Sequence, residues 1–189
     1  MSDEIIRINE SERMFIALPV PEGAVSKLEK AVGEFGMYLE SNVPIERWHM
    51  TMFFMGEVQN PKQFYKRLPD VIPLPFLPTL HITYVGRGEK RDQLWAIAEK
   101  SQSLKDLRME IIRKLRKLRF PMTDAQRKNK DPFVPHVRLA KFNDVAMRMG
   151  LADSAINSSF AIKSANVYIS RLGPDGPKYY CVKSMSLTS

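Results

Sequence analysis

The chain has 189 residues, 44% of them hydrophobic and 26% charged, which is an ordinary globular composition with ample length to bury a core. Its single cysteine, Cys181, rules out an intramolecular disulfide, and one cysteine with three histidines makes a structural zinc site a poor expectation. No apolar run approaches the ~18 residues of a membrane span, and the acidic start at Asp3 and Glu4 lacks a signal-peptide core. The net charge of +8 favours polyanionic partners, nucleic acid first among them, but does not separate RNA from DNA. These features together point to a reducing cytoplasm.

In chain order, residues 1–12 are polar and without pattern, and are expected to be a disordered leader to a domain spanning 13–189. Met14 to Val20 reads as a first strand ending before Pro21. Val25, Leu28, Val32 and Phe35 recur at helical spacing, with Gly36 as the stop. A strand from His49 to Gly56 follows, and Asn60-Pro61 opens a helix carrying Phe64 and Leu68. Ile72 to Pro78 is a proline-rich connector. Leu80 to Val85 and Gln93 to Ile97 form two strands around the turn at Gly86 to Gly88. The clearest helix runs from Ser103 to Phe120, with an apolar stripe of Leu104, Leu107, Ile111, Leu115 and Leu118. Arg108, Arg113, Arg116, Lys117 and Arg119 lie mostly off that stripe. With Arg127, Lys128 and Lys130 of the loop from Thr123 to Asp131, they form an expected basic face for RNA. A strand beginning at His136 is followed by a helix near Val145 to Ala155. Two long strands, Phe160 to Leu172 and Tyr179 to Leu187, close the chain around Gly173-Pro174-Asp175-Gly176. Hairpins outnumber regular βαβ repeats, so the expected class is α+β with antiparallel sheets.

Two of these strands echo one another. His49-Met50-Thr51-Met52 and His136-Val137-Arg138-Leu139 each read histidine, apolar, polar, apolar, 87 residues apart. Side chains alternate faces along a strand, so His49 shares a face with Thr51, and His136 with Arg138, while Met50, Met52, Val137 and Leu139 point to a core. Facing strands of this kind would offer two imidazoles and two phosphate-binding side chains to one cleft, the equipment for acid–base chemistry on a phosphodiester. An isolated histidine is by default structural; the repeat in the same register argues otherwise. His81-Ile82-Thr83-Tyr84 spells the same pattern, but the 32-residue gap from His49 leaves little room for a second lobe, and its flanks differ. Tyr168 and Tyr179 could stack on a base, though hairpin aromatics are more often core.

At these residues the chain resembles the two-histidine (2H) phosphoesterases, in particular the RNA 2′,3′-cyclic phosphodiesterases also called 2′-5′ RNA ligases. Glu46-Arg47-Trp48-His49-Met50-Thr51-Met52-Phe53-Phe54-Met55-Gly56-Glu57 is similar to the first motif and its flanks, and Phe133-Val134-Pro135-His136-Val137-Arg138-Leu139-Ala140-Lys141 to the second. Further similarity lies in Arg13 to Pro19, in Gln93-Leu94-Trp95, and in Ser170-Arg171-Leu172 with Gly176-Pro177-Lys178-Tyr179. Arg138 departs from the family, which has threonine there, and Lys141 stands where it usually has arginine. The resemblance implies a bilobal, duplicated fold whose antiparallel sheets form a V-shaped cleft, with helices packed outside. It implies His49 as general acid and His136 as general base, with Thr51, Arg138 and, more weakly, Lys141 on the phosphate. Neither metal nor cofactor is implied. The implied reaction is hydrolysis of RNA 2′,3′-cyclic phosphate ends, or of small cyclic nucleotides, to 2′-phosphomonoesters by a monomer, with 2′-5′ ligation as its reverse. Two alternatives stand beside it: an RNA-binding module whose site is degraded by Arg138, and a 2H enzyme for another phosphodiester such as a 2′-5′ oligoadenylate.

Overall fold

A computed structural model of the chain describes residues 7–128, 133–174 and 176–189. Met1 to Ile6, Lys130 with its neighbours in the basic loop, and Asp175 of the last turn lie outside the described residues. In chain order the elements are β1 (Ser11–Pro19), α1 (Glu22–Glu34), β2 (Leu39–Asn42), β3 (His49–Gln59), α2 (Pro61–Lys66), β4 (Val71–Pro73), β5 (Thr79–Arg87) and β6 (Gln93–Ala98). There follow α3 (Gln102–Lys117), α4 (Asp124–Arg127), β7 (His136–Phe142), α5 (Asp144–Met147), β8 (Ser154–Ala161), β9 (Ser164–Gly173) and β10 (Gly176–Thr188). This is the α+β, sheet-dominated architecture that the pattern of hairpins implies.

The strands form one open path, β4-β10-β9-β1-β3-β7-β6-β5-β8, antiparallel except where β4 runs parallel to β10. Its two arms meet at a single backbone pair, Met50 of β3 with Val137 of β7. Farther along β7, the same edge is taken by β2, which pairs Asn42 with Ala140 and Leu39 with Phe142. The sheet therefore forks at the start of β3 and β7, which is where the two-sheet cleft expected from the sequence opens. Helix α1 packs against β8 and β5, and α3 against β3 and β5.

Local causes are readable. In α3, Ser101 caps the first turn through its hydroxyl, which accepts from the Leu104 N–H at 3.3 Å. Leu104, Leu107, Ile111 and Leu115 bury the expected stripe. Arg108 is a correction to the expected basic face. It sits within the stripe and is 4% exposed, its Nε donating to the Met52 carbonyl at 3.1 Å. In β3, register shifts against β1 at Met14/Phe15 and Ile16/Ala17 add residues to the longer strand, and Gly56 takes φ +72° at one of them. Such bulges reset the alternation, which is how Met50, Met52, Phe53 and Met55 are all buried.

Three further expectations are corrected. β1 begins at Ser11, so Ser11 and Glu12 belong to the sheet. The buried Glu12 carboxylate accepts from the Arg171 guanidinium of β9 and from the Asn9 N–H at 3.0 Å, which ties the chain down from residue 9. The helix placed near Val145 to Ala155 shrinks to the four residues of α5, capped by Asn143, whose side chain accepts from the Ala146 N–H at 2.9 Å. Ser154 and Ala155 instead pair with β5. The long strand from Phe160 is two strands, because the chain leaves β8 at one end of the sheet, donates the Ile162 N–H to the Pro78 carbonyl, and enters β9 in the other arm. Within the basic loop, α4 opens with a reciprocal Thr123/Gln126 capping box. No helix among the described residues is long and apolar enough to cross a membrane.

Candidate active site

The Met50–Val137 pair sets the geometry. Continuing an antiparallel register around it places His49 opposite Arg138 and Thr51 opposite His136, all four on the face away from the buried Met50 and Val137. One cavity of 530 Å³ is lined by His49, Thr51, His136 and Arg138 together with Arg47 and Tyr179. A second, of 390 Å³, shares Thr51, Phe54 and His136 and adds Trp95, Arg108 and Phe133. His136 and Thr51 thus stand where the two spaces meet.

The histidines are oriented by the same device. His49 Nδ1 lies 2.7 Å from the Arg47 carbonyl, and His136 Nδ1 lies 2.8 Å from the Val134 carbonyl. A carbonyl can only accept, so Nδ1 carries the hydrogen in each ring and Nε2 is left to exchange protons. Each bond reaches back two residues to the segment just before the strand, so the turn that starts the strand also sets the ring. Burial pushes His49 below the ordinary histidine value; the Arg47 carbonyl opposes this and the charge of His136 adds to it. Burial also lowers His136, against the Val134 carbonyl and the Glu89 carboxylate.

The rings around the two imidazoles differ. His49 is flanked by Phe15 at 4.8 Å between centroids and by Tyr179, edge-on, at 5.0 Å. His136 is stacked on Trp95 at 3.6 Å, 15° from parallel. Tyr179 is raised by burial, while Arg138, Arg47 and Arg13 pull the other way, so cations gather on that side of the cleft.

Four of the five site residues proposed from the sequence converge, and Lys141 does not join them. Its ammonium is ion-paired to Glu40 of β2 at 2.7 Å, outside both cavities. Of the two hairpin tyrosines, Tyr179 lines the cleft, whereas Tyr168 stacks on Phe15 at 5.2 Å and lies 6.2 Å from the His49 ring without lining either cavity. His81 is on β5 with Nδ1 2.7 Å from the Ser159 hydroxyl, and it lines neither cavity. Sequence reasoning did not single out Arg47, Phe54, Trp95 or Arg108 for the site. Arg108 had a signal: it falls four residues after Leu104, inside the stripe, where a charge requires a reason. Among the described residues, no group of three or more His, Cys, Asp or Glu side chains is placed to hold a metal ion.

No protein-family model matches the sequence. The chain is 26% identical over 183 residues to an RNA 2′,3′-cyclic phosphodiesterase of Methanocaldococcus jannaschii, covering 90% of this chain and 98% of the relative. It shares the fold of Escherichia coli LigT, with a TM-score of 0.71 and 20% identity over 96% of this chain and 100% of LigT. TT0787 of Thermus thermophilus matches with a TM-score of 0.69 and 19% identity, over 92% of this chain and 97% of that one. Structures of LigT with phosphate and with 3′-AMP have the same fold.

Proposed function

We infer that this chain, whose curated relative and structural neighbours support the LigT-like two-histidine phosphoesterase family, hydrolyses RNA 2′,3′-cyclic phosphate ends to 2′-phosphomonoesters without a metal. The observation that carries the reading is the pair of imidazoles, each fixed through Nδ1 and each presenting Nε2 to one cleft. A neutral imidazole takes a proton from water as the water oxygen bonds to phosphorus. The bond from phosphorus to the 3′-oxygen breaks, and the second, protonated imidazole gives that oxygen its proton. Thr51 and Arg138, across the strands from the histidines, hold the non-bridging oxygens and offset the charge that builds there. With an RNA 5′-hydroxyl attacking phosphorus in place of water, the same displacement breaks the bond to the 3′-oxygen and leaves a 2′-5′ linkage. Small cyclic nucleotides fit the same chemistry, and the monomer provides every residue named.

A second reading rests on Arg138. Its guanidinium lines the cavity where the family has a short hydroxyl. That would suit a module that holds RNA ends without cleaving them, or a phosphodiesterase for a different nucleotide. The experiment is an assay with 2′,3′-cyclic AMP in EDTA. Formation of 2′-AMP at undiminished rate is expected. Activity lost to the chelator and restored by a divalent ion would overturn the two-histidine chemistry, and tight binding without turnover would favour the module.

A further inference from the structure

The two cavities that meet at His136 and Thr51 differ in charge. The 390 Å³ cavity is lined by a carboxylate, Glu89, as well as by Arg108. The 530 Å³ cavity is lined by Arg47 and Arg138 and, among the described residues, by no carboxylate. Its arginines arrive from different elements. Arg138 is on β7. Arg47 lies just before β3, and its carbonyl is the group that holds His49 Nδ1, so its backbone is fixed to the site. The Arg47 guanidinium reaches the β9–β10 turn, where Nη1 lies 3.5 Å from the position a Cβ at Gly176 would take. Tyr179 of β10 lines the same cavity, under the charge of Arg138, Arg47 and Arg13.

Two guanidiniums in one cavity repel each other, and a cleft lined by one sign of charge concentrates the opposite sign. A nucleoside 2′,3′-cyclic phosphate brings a single negative charge, and the proposed chemistry gives that charge to Arg138 and Thr51. We propose that Arg47 and Tyr179 form a subsite for a second phosphate, the one on the 5′ side of the nucleoside that carries the cyclic phosphate. The assignment rests on the reading that this cleft hydrolyses cyclic phosphates, and it narrows the substrate to nucleotides with a phosphate at each end of the ribose. Every RNA longer than one nucleotide has that second phosphate, and 2′,3′-cyclic AMP lacks it. A volume of 530 Å³ is in the range that holds a whole small ligand. The fork of a guanidinium can give two parallel hydrogen bonds to one phosphate, and a tyrosine hydroxyl can give a third. The basic face of α3 is a weaker rival for the same anion. Arg108 is buried there, and Arg113 and Lys114 are both ion-paired to Glu110.

Binding of two product-like nucleotides, adenosine 2′-phosphate and adenosine 2′,5′-bisphosphate, tests the subsite by titration calorimetry without turnover. The wild type should bind the bisphosphate about 10-fold or more tightly than the monophosphate. Arg47→Gln should bring that ratio close to 1, and Tyr179→Phe should lower it in part. Arg138→Ala should weaken both ligands alike and keep the ratio. In hydrolysis, kcat/KM should rise by a similar factor from 2′,3′-cyclic AMP to its 5′-phosphorylated form, and by the same factor to a dinucleotide ending in a cyclic phosphate. A wild-type binding ratio near 1 would overturn the proposal even if no variant folded. So would a ratio that survives Arg47→Gln, or a gain found with the dinucleotide and not with the 5′-phosphate. Turnover of cyclic AMP with no gain from the 5′-phosphate would sink the subsite and keep the hydrolytic reading. A high binding ratio in a protein that turns over no cyclic phosphate would do the reverse.

Discussion

Replacing Arg138 by alanine and by threonine should separate a working guanidinium from an obstructing one. Arg138 is exposed at the mouth of β7, and its side chain forms no hydrogen bond or ion pair among the described residues. Its removal should therefore change folding stability by no more than about 0.5 kcal/mol. Any large kinetic effect then belongs to the cleft. If the guanidinium grips a phosphate oxygen, charge-assisted hydrogen bonds worth about 1.5–3 kcal/mol are lost. At about 1.4 kcal/mol per factor of ten, Arg138→Ala should lower kcat/KM on 2′,3′-cyclic AMP by about 10- to 100-fold, with KM rising. Arg138→Thr should keep much of the wild-type rate, because a hydroxyl can make one of the lost contacts. The assay is steady-state hydrolysis by the three proteins on one substrate, with thermal melts to confirm equal stability. A threonine variant far more active than the natural protein would refute the reasoning. Arg138 would then be filling the substrate's space, and the binding-module reading would take precedence.

Other outcomes follow from the same geometry. His49→Ala and His136→Ala should each cost at least ~100-fold in rate, since acid and base act in one displacement, while His81→Ala should be nearly silent. Loss of activity on changing His81 but not His136 would break the pairing. The pH profile of kcat/KM should be a bell centred on the acid side of the ordinary histidine value, because burial depresses both His49 and His136. The same depression affects stability: it is fully present above the unfolded value of ~6.5 and is lost as pH falls through the lowered folded values. Denaturant melts should therefore show stability declining from pH 7.5 to pH 5, and His49→Asn should flatten that slope.

What the sequence made legible was whatever a strand's two-residue period determines. His49 with Thr51, and His136 with Arg138, had to share faces, and the structure turns those faces to one cleft. Helix α3 was equally plain, because its stripe spans four turns. The elements that were missed depend on partners distant in sequence. β2 and β4 are four and three residues long and exist because they pair with β7 and β10. Likewise Glu12 reads as part of a polar leader until Arg171, 159 residues away, supplies its counter-charge.

His81 shows where a motif stops carrying information. His81-Ile82-Thr83 and His49-Met50-Thr51 spell the same three-residue pattern, and only their flanks distinguish them in sequence. The distinction is topological. β5 lies between β6 and β8, with β7 and β6 separating it from β3, so His81 meets Ser159 on its neighbour β8 and not a second imidazole. β7 is hydrogen-bonded to β3 at Met50–Val137, and a strand neighbour is ~5 Å away where a strand three places along is ~15 Å. Acid–base work on one phosphate requires both rings within reach of it, so of β5 and β7 only β7, the neighbour of β3, can supply the partner. The departure at Arg138 is then a change at a position whose place beside His49 is fixed by the backbone, which is why its replacement by threonine reports on the chemistry and not on the fold.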